Sequence, residues 1–202
     1  MDVERGWRTA LPLRLWHWLT ALCFVLLVVT GVVLHGFAPV GAGSYALAVT
    51  LHEVCGYALS ALLAGYVAFM FHGGGWRSYV PERDGLLRRL RRQGRRYFGV
   101  GGAAARVHAL AGQRRFNVLQ QLSYAVVVFA LLPLLVLTGL IYLYYPQLLP
   151  LEMFGLPAVL PVALLHFALG VCAAAFLVLH VFMALFGGRA RERFRLMVRG
   201  RC

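Results

Sequence analysis

The chain contains no lysine and only seven acidic residues, and two long stretches are almost free of charge. Between Arg14 and Arg77 the only formally charged residue is Glu53, and between Arg115 and Arg189 it is Glu152. A soluble domain of this size cannot leave so much of its surface without charge, which excludes an ordinary water-soluble fold. Cysteine is also scarce. Cys23, Cys55, Cys172 and Cys202 form no CxxC or CxxCH, so covalent c-type haem attachment, a zinc knuckle and an iron–sulfur cluster are all excluded on spacing. There is no glycine-rich nucleotide motif, no internal repeat, and no stretch outside the apolar runs long enough for a catalytic domain.

What the chain does have is apolar residues: 61% are hydrophobic and the mean hydropathy is +0.74. Each uncharged run is long enough for two spans of about 20 residues. The runs are broken by turn signals at Pro39-Val40-Gly41-Ala42-Gly43 and between Pro146 and Pro157. These features predict a single domain over residues 1–202, an all-α integral membrane four-helix bundle with helices near 13–37, 45–71, 119–145 and 157–186. The first apolar segment is too long for the core of a cleavable signal peptide and lacks a small-residue cleavage site, so it is read as a span.

All twenty basic residues are arginine, and their placement sets orientation. Arg5, Arg8 and Arg14 precede the first helix, eleven lie from Arg77 to Arg115, and six lie from Arg189 to Arg201. The other two connections contain none. The positive-inside rule then puts both termini and the Arg-rich loop 72–118 in the cytoplasm. The net charge of +13 is accounted for by topology and attraction to anionic lipid, without a nucleic acid partner. Within that loop, Leu86 to Arg92 has the pattern of a short amphipathic helix lying on the inner leaflet.

Histidine is the chemically informative residue. His166 and His180 stand fourteen residues apart on one uncharged stretch, close to four helical turns, so they share a face about 21 Å apart along the axis. With the orientation above, His17 and His180 lie at one depth near the inner face, and His52 and His166 at another near the outer face. Ionisable side chains in lipid are costly and mark function. A neutral imidazole also needs a partner there, which iron provides at one nitrogen. The expectation is two bis-histidine haem sites, His17 with His180 on the inner iron and His52 with His166 on the outer.

His35 shares the face of His17 and is the alternative to His52 as outer ligand, although its eighteen-residue offset, roughly 27 Å, matches the spacing on the fourth helix less well. His72 and His108 are read as interfacial or solvated. Gly31 stands fourteen residues after His17, Gly56 and Gly170 one turn after His52 and His166, and Gly139 at similar depth on helix three. Each allows either close approach of a porphyrin edge or small-residue helix packing.

In this order the residues resemble the gamma, or cytochrome b, subunit of respiratory formate dehydrogenases, whose wider family includes the cytochrome b subunits of thiosulfate reductases and nickel-iron hydrogenases. The resemblance is carried by Arg14-Leu15-Trp16-His17-Trp18 with Thr30-Gly31, by Leu51-His52 with Gly56, and by Arg115-Phe116-Asn117-Val118-Leu119-Gln120 with Leu137-Thr138-Gly139. Leu165-His166, Gly170, His180 and Met183 complete it. It implies two non-covalent b haems on the four histidines. It also implies a menaquinone or ubiquinone site on the cytoplasmic side, near Asn117, Gln120 and His180, although the family often has glycine where Leu119 stands. From the residues alone, Asn117 and Gln120 serve equally well as caps of helix three.

The function so implied is electron relay between an iron–sulfur beta subunit, working with a large catalytic alpha subunit at the outer face, and the quinone pool of a bacterial cytoplasmic (inner) membrane. The chain itself carries no catalytic residues. A free-standing quinol oxidoreductase of the b561 type and a haem-free membrane anchor are the alternatives.

Overall fold

A computed structural model of the protein describes residues 11–38, 40–80, 85–97, 118–145, 152–153, 156–157, 159–186 and 190–200. Among the described residues the regular elements are helices, apart from one ladder of two two-residue strands. Helix α1 is Leu11–Leu34, α2 Ala42–His72 and α3 Leu86–Tyr97. Helix α4 runs through Val118–Val126, a π segment Val127–Leu131, and Leu132–Leu143. Helix α5 is Val159–Phe186 and α6 Ala190–Arg199. Strands β1 (Glu152–Met153) and β2 (Leu156–Pro157) pair antiparallel between α4 and α5, with Glu152 opposite Pro157.

Four helices, Leu11–Leu34, Ala42–His72, Gln121–Leu143 and Val159–Phe182, are long and apolar enough to cross a membrane. A helix is the form in which an apolar segment satisfies every backbone polar group without water. Side chains such as Leu22, Val29, Leu164 and Val178 are more than half exposed on these helices, which suits contact with lipid rather than water.

Local chemistry sets the helix ends and irregularities. Helix α1 stops at Leu34, short of Phe37, because Gly36 takes φ +74°. The Gly36 amide then donates to the Val33 carbonyl and the Phe37 amide to that of Val32, closing the helix with a glycine cap. In α4, Pro133 has no amide hydrogen and its ring would clash with the preceding turn. The π segment just before it, in which the Leu132 amide donates to the Val127 carbonyl, widens the backbone where that clash would fall.

The chain forms two compact units, Met1–Ala64 with Leu134–Cys202, and Gly65–Pro133. In the first, side-chain bonds join α1 to α2, α4 to α5 and α2 to the end of α4. Trp16 Nε1 donates to the Leu62 carbonyl at 2.9 Å, and the Tyr57 and Tyr144 hydroxyls meet at 2.5 Å. Helix α6 is held to the start of α1 by Trp18 Nε1, which donates to the Met197 carbonyl at 3.0 Å, and by an edge contact of Trp18 with Phe194.

In the second unit the 3-10 turn Gly75–Tyr79 follows Gly74, at φ +65°, after the end of α2. Met70, 2% exposed, fills the core beside Gly75, where a β-carbon would collide with the Met70 side chain. The Tyr66 and Tyr79 hydroxyls bond in this core, and Phe129 lies edge-on to both Tyr79 and Phe71. Helix α3, which includes the stretch read as amphipathic, packs on the first part of α4.

Candidate functional site

The four histidines face one another in two pairs within the first unit. His17, in the second turn of α1, faces His180 near the end of α5, with ring centroids 6.2 Å apart. His52 on α2 faces His166 near the start of α5 at 6.3 Å. All four are half-buried. Their depth matching on α5 follows from helical periodicity, since fourteen residues return a side chain to nearly the same face.

These distances suit two imidazoles on opposite sides of one metal. Two metal–nitrogen bonds of about 2 Å each, plus the reach from each nitrogen to its ring centre, come to roughly 6 Å. Among the described residues no group of three or more His, Cys, Asp or Glu converges. Each pair would therefore supply two ligands, and a bare metal ion would need further donors that the described residues do not bring. An axial pair for a metal whose remaining positions are filled by a macrocycle fits this donor set. Beside His17, Arg14 Nε and Thr20 Oγ1, one turn to either side, are buried with no hydrogen-bond partner among the described residues. That is an arrangement suited to an anionic, hydrogen-bond-accepting group such as a haem propionate. The residues present fit haem.

The His52/His166 pair is further organised by two residues that spacing arguments overlooked. Thr30 Oγ1 lies 2.8 Å from His52 Nδ1, and Thr138 Oγ1 lies 2.9 Å from His166 Nδ1. Each threonine also bonds to the carbonyl four residues before it, Leu26 or Leu134, at 2.7 Å. The available signal was the doublet Thr-Gly, which occurs at 30–31 on α1 and again at 138–139 on α4 and precedes a histidine helix each time. At Gly139 the missing side chain lets the ring approach, whereas a side chain at Gly31 would make only an ordinary contact. A β-carbon on Gly31 would lie 3.8 Å from His52 Cε1, and one on Gly139 3.1 Å from His166 Cε1.

The other predicted residues divide. A β-carbon on Gly56 or Gly170 would meet no atom of the described residues within 4 Å, so packing among them requires neither glycine. His35 falls outside α1, in the turn after Leu34, where its ring lies 4.4 Å from that of Phe167, while the ring set against His166 at 6.3 Å is that of His52. His72 and Glu53 are exposed. Asn117 and His108 lie outside the described residues, and Gln120 stands in the first turn of α4. Phe176, one turn before His180 on α5, lies 5.6 Å from its ring. The C-terminal arginines, read only as a topology signal, belong in part to α6 (Ala190–Arg199).

A family model described as prokaryotic cytochrome b561 matches residues 8–200. The chain is also 40% identical over 189 residues to "Putative cytochrome YdhU" of Escherichia coli (strain K12), an alignment covering 93% of this chain and 70% of that protein. Substitution at the doublets checks the ring contacts. Gly139→Ala is expected to displace the His166 ring by a few tenths of an ångström and weaken haem retention, whereas Gly31→Ala is expected to leave haem content unchanged. Haem per purified chain, read as the pyridine haemochrome, distinguishes the two.

Proposed function

The chain belongs to the prokaryotic cytochrome b561 family, a membrane cytochrome that binds haem b, and from that premise we propose that it is a di-haem subunit passing electrons between an iron–sulfur partner and the quinone pool. The observation that carries this reading is the pair of facing imidazole sets, 6.2 and 6.3 Å between centroids, fourteen residues apart on α5. His17 and His180 would hold one haem, and His52 and His166 the other. A haem with two imidazole ligands has no open position, so it supplies one-electron transfer rather than oxygen activation.

The chain's own part is to hold both groups at fixed depths and to present them to partners. The apolar helix faces exclude water from the relay. The arginines, confined to the two termini and the 72–118 segment, favour both termini in the cytoplasm of a bacterial inner membrane. The His17/His180 pair is then on the quinone side, with Asn117 and Gln120 as candidate quinone contacts, and the His52/His166 pair is on the side of an external donor. With no substrate chemistry of its own, the chain depends on an iron–sulfur beta subunit and a large catalytic alpha subunit, as in a formate dehydrogenase-like complex.

Purification from native membranes in mild detergent tests this. The expected result is co-purification of an iron–sulfur protein and a large catalytic subunit, with reoxidation of the dithionite-reduced cytochrome by a soluble menaquinone analogue. A lone chain with quinol activity would instead establish a free-standing quinol oxidoreductase. An unchanged visible spectrum on dithionite reduction would establish a haem-free anchor.

A further inference from the structure

The two threonines beside the His52/His166 pair have a chemical consequence. A hydroxyl carries one proton and can accept on its lone pairs. In Thr30 that proton points into α1, towards the Leu26 carbonyl at 2.7 Å and the Leu27 carbonyl at 3.2 Å. In Thr138 it points into α4, towards Leu134 at 2.7 Å and Leu135 at 3.2 Å. Carbonyl oxygens only accept, so the hydroxyl proton is committed there. What each threonine presents to its histidine is a lone pair, and the nitrogen facing it must be the protonated one.

His52 and His166 therefore both carry hydrogen on Nδ1, donated to a threonine oxygen, and both keep Nε2 free as a metal ligand. Thr30 and Thr138 are only 5% and 4% exposed, so water does not replace them. The chain Nδ1–H to Oγ–H to carbonyl is a cooperative series, each bond polarising the next. Its effect on a ligand is electronic as well as geometric. An acceptor on Nδ1–H makes the imidazole a better donor at Nε2, and that favours the oxidised metal.

We propose that Thr30 and Thr138 are positioning residues that select the ligating nitrogen of His52 and His166 and hold the centre between them at a lower reduction potential than bare imidazoles would. The proposal rests on the reading that these histidines hold a haem. It identifies a matched device, one threonine from α1 acting on α2 and one from α4 acting on α5, that tunes one centre of the relay separately from the other.

The test is an equilibrium redox titration of the purified cytochrome, followed in the visible bands, for Thr30→Val, Thr138→Val, the double variant, and Thr→Ser at each position. Valine keeps the shape and removes the acceptor; serine keeps the acceptor. Each valine is expected to raise the midpoint of one haem, by as much as a tenfold change in its reduction equilibrium, about 59 mV for one electron. The double variant should move further, the other haem should stay in place, and serine should restore the original value. A double valine variant with both haems bound and both midpoints unchanged overturns the proposal. Loss of that haem with valine but not serine supports it, and loss with both overturns it. If His52→Ala and His166→Ala leave both haem signals intact, the underlying assignment of the haem fails instead, and that control separates the two failures.

Discussion

Changing His52 or His166 to alanine is expected to remove one haem per chain, and changing His17 or His180 to remove the other. On the proposed reading the two pairs are separate coordination units. Within a pair the second substitution therefore adds little, because one imidazole cannot hold the group that two hold. Across pairs the losses add, so His52→Ala with His180→Ala should leave none. Haem content by pyridine haemochrome against chain concentration reads this directly. His35→Ala should retain both haems, because that ring lies in the turn after α1 against Phe167 at 4.4 Å. Loss of a haem in that variant, with both kept in His52→Ala, would reverse the assignment of the ligand on this side.

The second large effect is expected at Gly56 and Gly170. On α2 and α5 a β-carbon at either position meets no atom of the described residues within 4 Å. Glycine within a helix is less favourable than alanine by about 1 kcal/mol, so the protein alone gains nothing from keeping it. If a porphyrin edge runs past these positions, one turn from His52 and His166, a bulky side chain there competes with it for the same space. Gly56→Leu and Gly170→Leu should therefore insert in membranes at normal levels while losing most of the haem held by His52 and His166. Yield of membrane-inserted chain and haem per chain, measured together, check both halves. Full haem content would mean that the open space beside these glycines is not where the macrocycle lies.

The four spans were legible because lipid imposes a simple rule: about 20 uncharged residues in a row, with the arginines left outside. The histidine pairs were legible for a related reason, since depth in a bundle is nearly linear in residue number and fourteen residues returns a side chain to the same face. Other features depend on atoms that periodicity does not see. The end of α1 at Leu34 is decided by one glycine at positive φ, Gly36, and the π segment of α4 by the missing amide of Pro133. The docking of α6 turns on Trp18 reaching the Met197 carbonyl across 179 residues of sequence. Thr30 and Thr138 were in plain view as part of a repeated doublet. Their role became readable only when the hydroxyl proton could be traced to a specific carbonyl, because threonine in a membrane helix ordinarily bonds back to its own backbone and nothing more.

The most direct measurement is the haem-to-chain ratio of the purified wild-type protein, by pyridine haemochrome and quantitative amino-acid analysis. Two b haems per chain is the predicted value, one for each imidazole pair. A ratio of one or zero, in protein purified without added chelators or denaturants, would contradict the account.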